Sequence, residues 1–566
     1  MKLFGFLISV LIAVFCLPVY GQEVFDFSEE VVIGRLKEDV YTLASEEMEG
    51  REAGTEGERK AAAYLKMRMQ EAGLEPLFEG SYYQEFPFLG EWIWGDDNYF
   101  TYMGHTLEHG VDYYALPGSV SGKFSAPFVH VGFGLSGLEE VEGFEDHCDY
   151  VLHGDRLEGK FFVMEFFMPE ALDTLEDRRI YQLLFQKVNT AQEKGAAGIL
   201  FVNTRSERDD PPVNIRLSRR AFDIPLLFAE DHVLKYLMTD QSGRIDVEVD
   251  IFREEHTGIN VAGYIDNGAE TTVVIGGHYD HVGYGGRGSM SPGVRAVHPG
   301  ADDNASGTAG VLEAARYISS STLNGHNYLF IAFSAEEKGL VGSRYFTNSE
   351  AYDIERINYM FNLDMIGRME DNTLTMIGTG SSPAWDALID SHTPQHFNVR
   401  KNPAGRGGSD HTSFYVKDIP VLFFFTGVHE DYHRPGDTAD KINYDGAYEI
   451  TGFALDMIRS LDDTDRLAFS SADQPGPGRT REGMVTLGLM PDHGFDGEGL
   501  RVLSVTDDQP AHKAGMENGD VIIRINDMPV MEIHSYMEAL GSLSPSETVS
   551  VVVVREDEEH TLDVRL

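Results

Sequence analysis

Cysteine is almost missing: 566 residues hold two, Cys16 and Cys148. Cys16 falls in an N-terminal stretch that reads as a leader, so a processed chain keeps one thiol and cannot close an internal disulfide. Stability then has to come from core size and from bound metal. Positive charge is also scarce. Against 93 Asp and Glu stand 45 Lys and Arg, a formal charge of -48. Such a chain is repelled by phosphate backbones and anionic lipid surfaces, which argues against nucleic-acid and membrane-surface partners. Beyond the leader, no apolar run is long enough to span a bilayer. Neither a G-x-S-x-G elbow nor a P-loop lysine motif occurs, so a serine hydrolase or a nucleotide enzyme has no foothold.

What is present begins with MKLFGFLISVLIAVFCLPVYGQ, a lysine followed by a short apolar core and a small-residue end. It is expected to be a signal peptide over residues 1–21, which implies an exported, periplasmic or secreted protein. Phe15 before Cys16 is larger than lipoprotein processing wants. Residues 25–114 contain amphipathic helix patterns and then aromatic-rich strands. Residues 115–250 alternate short apolar strands with helices and hold no dense cluster of metal-type residues; they are expected to be an α/β insert. Residues 257–461 repeat strand, loop and helix, with near-continuous apolar strands, which predicts a mostly parallel sheet covered on both faces. A Pro/Gly/Ser linker at 466–482 precedes a small β-rich domain at 484–566.

In an open parallel sheet, ligands bind beyond the carboxyl ends of the strands. TTVVIGG ends in His278 and Asp280. GADDNASG, opening the next helix, carries Asp302 and Asp303. NYLFIAFSA leads to Glu336 and Glu337, INYMFNL to Asp364, and IPVLFFFTG to a loop with His433. Gathered at one edge, these groups repel one another unless a divalent cation lies among them. Mixed His and carboxylate donors suit zinc, and a shared carboxylate suits a pair of ions. Asp280, two residues along an extended chain from His278, points the same way and is placed to fix its tautomer. Of Glu336 and Glu337, one is free to bind metal while the other faces water as a general base. His281, His298, His411 and His429 lie in the same loops and receive no ligand role; Asp410 is read as ordering its loop. Gly283 to Gly288 formally match G-x-G-x-x-G, but no helix follows directly, so the segment is read as a mobile rim of the site.

The order GGHYDH, GADDNASG, FSAEEKGLVGS, NLDMIG, DYHRPGDT closely resembles the co-catalytic zinc aminopeptidase family, which includes glutamate carboxypeptidase, glutaminyl cyclase and transferrin receptor relatives. The resemblance covers about residues 35–114 and 257–461. It implies a zinc-exopeptidase fold and two zinc ions per chain, one on His278 and Asp364, the other on Glu337 and His433, with Asp303 bridging. It further implies that Glu336 is the base, that Asp280 supports His278, that Tyr432 polarises the scissile carbonyl, and that the Asp303–Asn304 peptide bond is cis. The expected activity is hydrolysis of peptide or protein substrates, releasing N-terminal residues by means of a water shared between the ions. The alternatives are carboxypeptidase action, glutaminyl cyclisation on one zinc, and an inactive interaction protein. The 115–250 region resembles a protease-associated domain. Residues 484–566 resemble a PDZ domain, although Leu487 to Met490 match its carboxylate-binding loop only loosely, so binding of peptide C-termini is left open.

Overall fold

The computed structural model describes residues 26–566 apart from internal stretches, the longest being 137–146, 212–221, 234–242, 472–486 and 492–498. The expected signal peptide and most of the expected linker lie outside the described residues. The described elements form three sheets.

In the first sheet, strands Asn327–Phe333, Thr272–His278, Ile357–Leu363 and Val421–Phe425 run parallel in that spatial order. The margins add antiparallel pairs: Ile251–Ile265 on Asn327–Phe333, and Thr373–Ile377 on Val421–Phe425. The four central strands are buried along nearly their whole length. Alternation sends Val273, Ile275, Phe330, Phe361 and Phe424 to one face. There they meet Leu36, Val40, Ala61, Leu65 and Ile450 from the helices Glu29–Leu43, Glu56–Glu71 and Tyr444–Leu461. Val274, Leu329, Ile331, Met360 and Val421 face the other way, onto Phe346 and Phe414. Both faces are covered, which is why the strand sequences show little polar alternation. The helix Gly307–Ser320 makes the crossover from Thr272–His278 to Asn327–Phe333.

The second sheet has its own core, including Phe162, Ile199, Leu226 and Phe228. Strands Gly122–His130, Phe161–Glu165, Gly198–Val202 and Leu226–Ala229 are parallel neighbours. The sheet reaches further back than a boundary at residue 114. Tyr99–Tyr102 pairs with Arg244–Val249, and Tyr113–Ala115 with Leu226–Ala229. Those pairings span more than a hundred residues, so local composition carried no sign of them. A long antiparallel ribbon, Tyr83–Trp94 with Ile251–Ile265, runs from the first sheet to the start of the second.

The third sheet is antiparallel throughout, with Val502, Ile522, Val551 and Val553 in its core. The chain leading towards it is fastened to the first domain as far as Ser470. Arg466 donates to the carbonyl of Ile357, Leu467 N–H to Asn358 Oδ1, and Ser470 N–H to the carbonyl of Ser381.

Candidate metal centre

The strand order reverses around Thr272–His278: the next strand in sequence lies on one side of it, and the two that follow lie on the other. The crevice opened by such a reversal sits beyond the carboxyl ends. His278 is the last residue of that strand, and Asp364 follows Ile357–Leu363 directly. Glu336 and Glu337 follow Asn327–Phe333 after a short bend, and Asp303 lies just before the crossover helix.

Two donor groups result, and Asp303 belongs to both. His278 Nε2 is 3.3 Å from Asp303 Oδ1 and 3.3 Å from Asp364 Oδ1. His433 Nε2 is 3.1 Å from Asp303 Oδ2 and 3.1 Å from Glu337 Oε1. One oxygen of Asp303 therefore faces each group. The five residues expected as ligands are brought together, and Glu336 stands beside them.

The tautomers follow from the other ring nitrogens. His433 Nδ1 lies 2.7 Å from the carbonyl of Gly288, and His278 Nδ1 lies 3.1 Å from the carbonyl of Asp280. A carbonyl only accepts, so each Nδ1 carries the proton and each Nε2 turns a lone pair towards the carboxylates. A lone pair facing buried carboxylate oxygens is unfavourable without a cation between them. Asp303 Oδ2, Asp364 Oδ1 and His433 Nε2 are buried with no hydrogen-bond partner. These orphaned atoms converge, and the donor set fits a pair of divalent ions such as zinc.

Neighbouring groups hold the donors in place. Ser409 Oγ donates to Asp364 Oδ2 at 2.7 Å, and Asn362 donates to Ser409 in turn. Asp437 Oδ2 accepts the N–H groups of Asp302 and Asp303 at 2.9 and 3.1 Å. Asn304 Nδ2 donates to the carbonyls of His278 and Leu363. The Asp303–Asn304 peptide bond is cis. Ala335, Met365 and His433 adopt φ of 54°, 54° and 52°, a left-handed conformation that is uncommon for non-glycine residues.

The electrostatics separate the carboxylates. Burial opposes ionisation of Asp303, yet the His278 and His433 rings that face it hold it well below the usual carboxylate range. Burial and Asp303 oppose ionisation of Glu337, but His281 and His433 bring it down to about 2. Glu336 goes the other way. Burial raises it well above its ordinary value, opposed by His278 and reinforced by Glu337, Asp410 and Asp364. The two adjacent glutamates thus differ in proton affinity, lowered in Glu337 and raised in Glu336.

Further residues surround the two groups. Asp280 offers His278 its backbone carbonyl more closely than its carboxylate, which is 3.7 Å away; the carboxylate instead accepts N–H groups of Glu336 and Glu337 at 3.0 and 3.4 Å. Tyr432 stacks on the His433 ring, with centroids 3.9 Å apart. Gly288, in the segment expected as a mobile rim, supplies the carbonyl that orients His433. Asp410 is fully buried, and burial pushes it up to about 7; it belongs to neither donor group. His411 is buried against Phe423, His298 bonds Ser289, and His429 faces Asp302. Arg51 escaped the sequence reading altogether. It is buried and donates to the carbonyls of Leu43, Tyr279, Pro299 and Gly300. It thereby ties the first helical segment to both loops that carry site residues. No local pattern marks it.

Residues 260–458 match the model of peptidase family M28, and residues 467–566 match the PDZ domain model. Leucine aminopeptidase 2 of Trichophyton rubrum is 28% identical over 235 residues, 36% of this chain and 45% of that protein. Aminopeptidase YwaD of Bacillus subtilis is 24% identical over 270 residues, 46% of this chain and 56% of that protein. The chain thus spans about half the length of the curated relatives it matches. Among solved structures, BSAP, a zinc aminopeptidase from Bacillus subtilis, aligns with a TM-score of 0.44 at 21% identity, covering 76% of this chain and 95% of that one. All four strands that deliver the donors fall inside residues 260–458, the segment similar to peptidase family M28, and the similarity to a PDZ domain begins beyond it, at residue 467.

Proposed function

We propose that this protein is a zinc-dependent aminopeptidase that removes N-terminal residues from peptides. The observation that carries the reading is the pair of donor groups sharing Asp303, with the Glu336 carboxylate beside them and in neither group. His278, Asp303 and Asp364 would hold one ion, and Asp303, Glu337 and His433 the other. When bound, zinc supplies Lewis acidity towards a carbonyl and towards water. Glu336 takes the proton from the attacking water and hands it to the leaving amine; its raised proton affinity suits both transfers. Tyr432, stacked on His433, donates its hydroxyl proton in a hydrogen bond to the carbonyl oxygen as negative charge develops there. The acidic site attracts a free α-ammonium, which favours aminopeptidase over carboxypeptidase action.

Names among the relatives, leucine aminopeptidase and aminopeptidase, support this reading. Export to the periplasm or the exterior belongs to the same proposal and rests on the leader-like N-terminus. The second sheet is read as a protease-associated insert, and the PDZ domain as a site for a peptide or protein partner.

The test is a peptide library with free or blocked N-termini, incubated with protein dialysed against chelator and then given back zinc. Zinc-dependent loss of N-terminal residues from the free peptides alone is expected. Release from the C-terminus, cyclisation of N-terminal glutamine, or turnover that survives metal removal would sink the reading.

A further inference from the structure

The second donor group contains a fourth residue. His281 is fully buried, and its Nδ1 lies 2.9 Å from Glu337 Oε1 and 3.8 Å from Asp303 Oδ2. Those are the same two oxygens that face His433 Nε2 at 3.1 Å each. Donors about 2.0–2.1 Å from a tetrahedral zinc lie about 3.3 Å from one another, and these four separations scatter around that value. The rings of His281 and His433 stand nearly perpendicular, at 86°, with centroids 5.4 Å apart, so two imidazoles approach one point from different sides.

The fold makes room for this ring. Gly300 adopts φ 54°, and a Cβ there would come within 2.6 Å of the His281 ring. The His281 N–H bonds the carbonyl of Arg51, which fixes the backbone from which the ring projects. Nε2 is buried without a partner, so the tautomer is set by what meets Nδ1: without an ion Nδ1 donates to Glu337 Oε1, and with one the proton moves to Nε2 and Nδ1 turns its lone pair to the cation.

We propose that His281, through Nδ1, is a metal ligand of the second position, which then has four protein donors: His281, Asp303, Glu337 and His433. The first position has three, His278, Asp303 and Asp364. This rests on the two-ion reading above and makes the two positions unequal. The four-donor position fills first and holds its ion more tightly; the three-donor position keeps the more open coordination and is the one emptied first by a chelator.

The test uses the full chain, stripped of metal and titrated with zinc against a chromophoric chelator. Two binding steps are expected, and His281→Ala weakens the tighter one by more than about 100-fold, beyond what loss of a merely supporting hydrogen bond causes. X-ray absorption on the unsubstituted protein at one equivalent of zinc gives an answer even if the variant does not fold: two imidazole nitrogens per ion are expected. One imidazole per ion, or a variant whose two constants match those of the parent, overturns the ligand role while leaving the aminopeptidase reading standing. A parent protein that takes up no zinc overturns both.

Discussion

Asp280 accepts the backbone N–H of Glu336 at 3.0 Å, joining the loops that leave two adjacent parallel strands. Its other oxygen faces the N–H of Glu337 at 3.4 Å. One carboxylate therefore sets where the base and a metal donor begin. Asp280→Asn turns an amide NH2 towards one of these donors and should loosen both glutamates. A 10–100-fold loss in zinc affinity is expected, with a fall in kcat, measured by zinc titration and steady-state kinetics. Unchanged values for both would show that the strand ends hold themselves.

Glu336→Gln should keep the metal and lose activity. The side chain makes no donor contact in either group, so zinc content by elemental analysis should match the parent, while kcat falls at least about 100-fold for want of a proton acceptor. Loss of zinc together with activity would move Glu336 from base to ligand.

Arg51 supports four buried carbonyls. Burial brings its guanidinium down to about 10, still charged at neutral pH. Lysine has one nitrogen and cannot reach all four carbonyls. Arg51→Lys should destabilise the first domain by at least about 2 kcal/mol, read as a lower urea midpoint. A midpoint equal to that of the parent would mean that water replaces the lost donors.

The PDZ domain should be dispensable for small aminoacyl amides, but the truncation point matters. Ending at Leu461 removes Arg466, Leu467 and Ser470, which bond the first domain, and Phe469, which packs on Tyr415. A chain ending at Ser471 should keep its kcat/KM on such amides, whereas one ending at Leu461 should be less stable. A folded but inactive chain ending at Ser471 would place the PDZ domain in the active site.

Glu58 gives a pH signature. Burial raises it to about 7, although Ser334, Gly54 N–H and Ile259 N–H favour the ionised form. Its folded value lies above the unfolded one. The stability it contributes is therefore complete below about 4.5 and is lost as pH rises through 7. Between pH 6 and 8 the parent should lose about 1 kcal/mol of unfolding free energy relative to Glu58→Gln, measured by urea unfolding at both pH values. Parallel pH profiles would show that Glu58 ionises normally.

The sequence alone determined the local part of this molecule. Runs such as Thr272–His278 and Ile357–Leu363 are apolar on both faces because helices cover both, and that pattern is visible without coordinates. Where such a strand stops at His278 or Asp364, the ionisable residue is already marked. Tertiary structure decided what depends on strand order. Only the reversal around Thr272–His278 brings His281 to the oxygens that face His433, although its loop position looked no different from those of His298 or His411. Arg51 and Asp437 act through backbone groups, which carry no residue-specific signal in a sequence. The pairing of Tyr99–Tyr102 with Arg244–Val249 was hidden for the same physical reason. Strand pairing is made by main-chain hydrogen bonds between distant segments, so the side chains record which residues are buried and not which strand lies beside them.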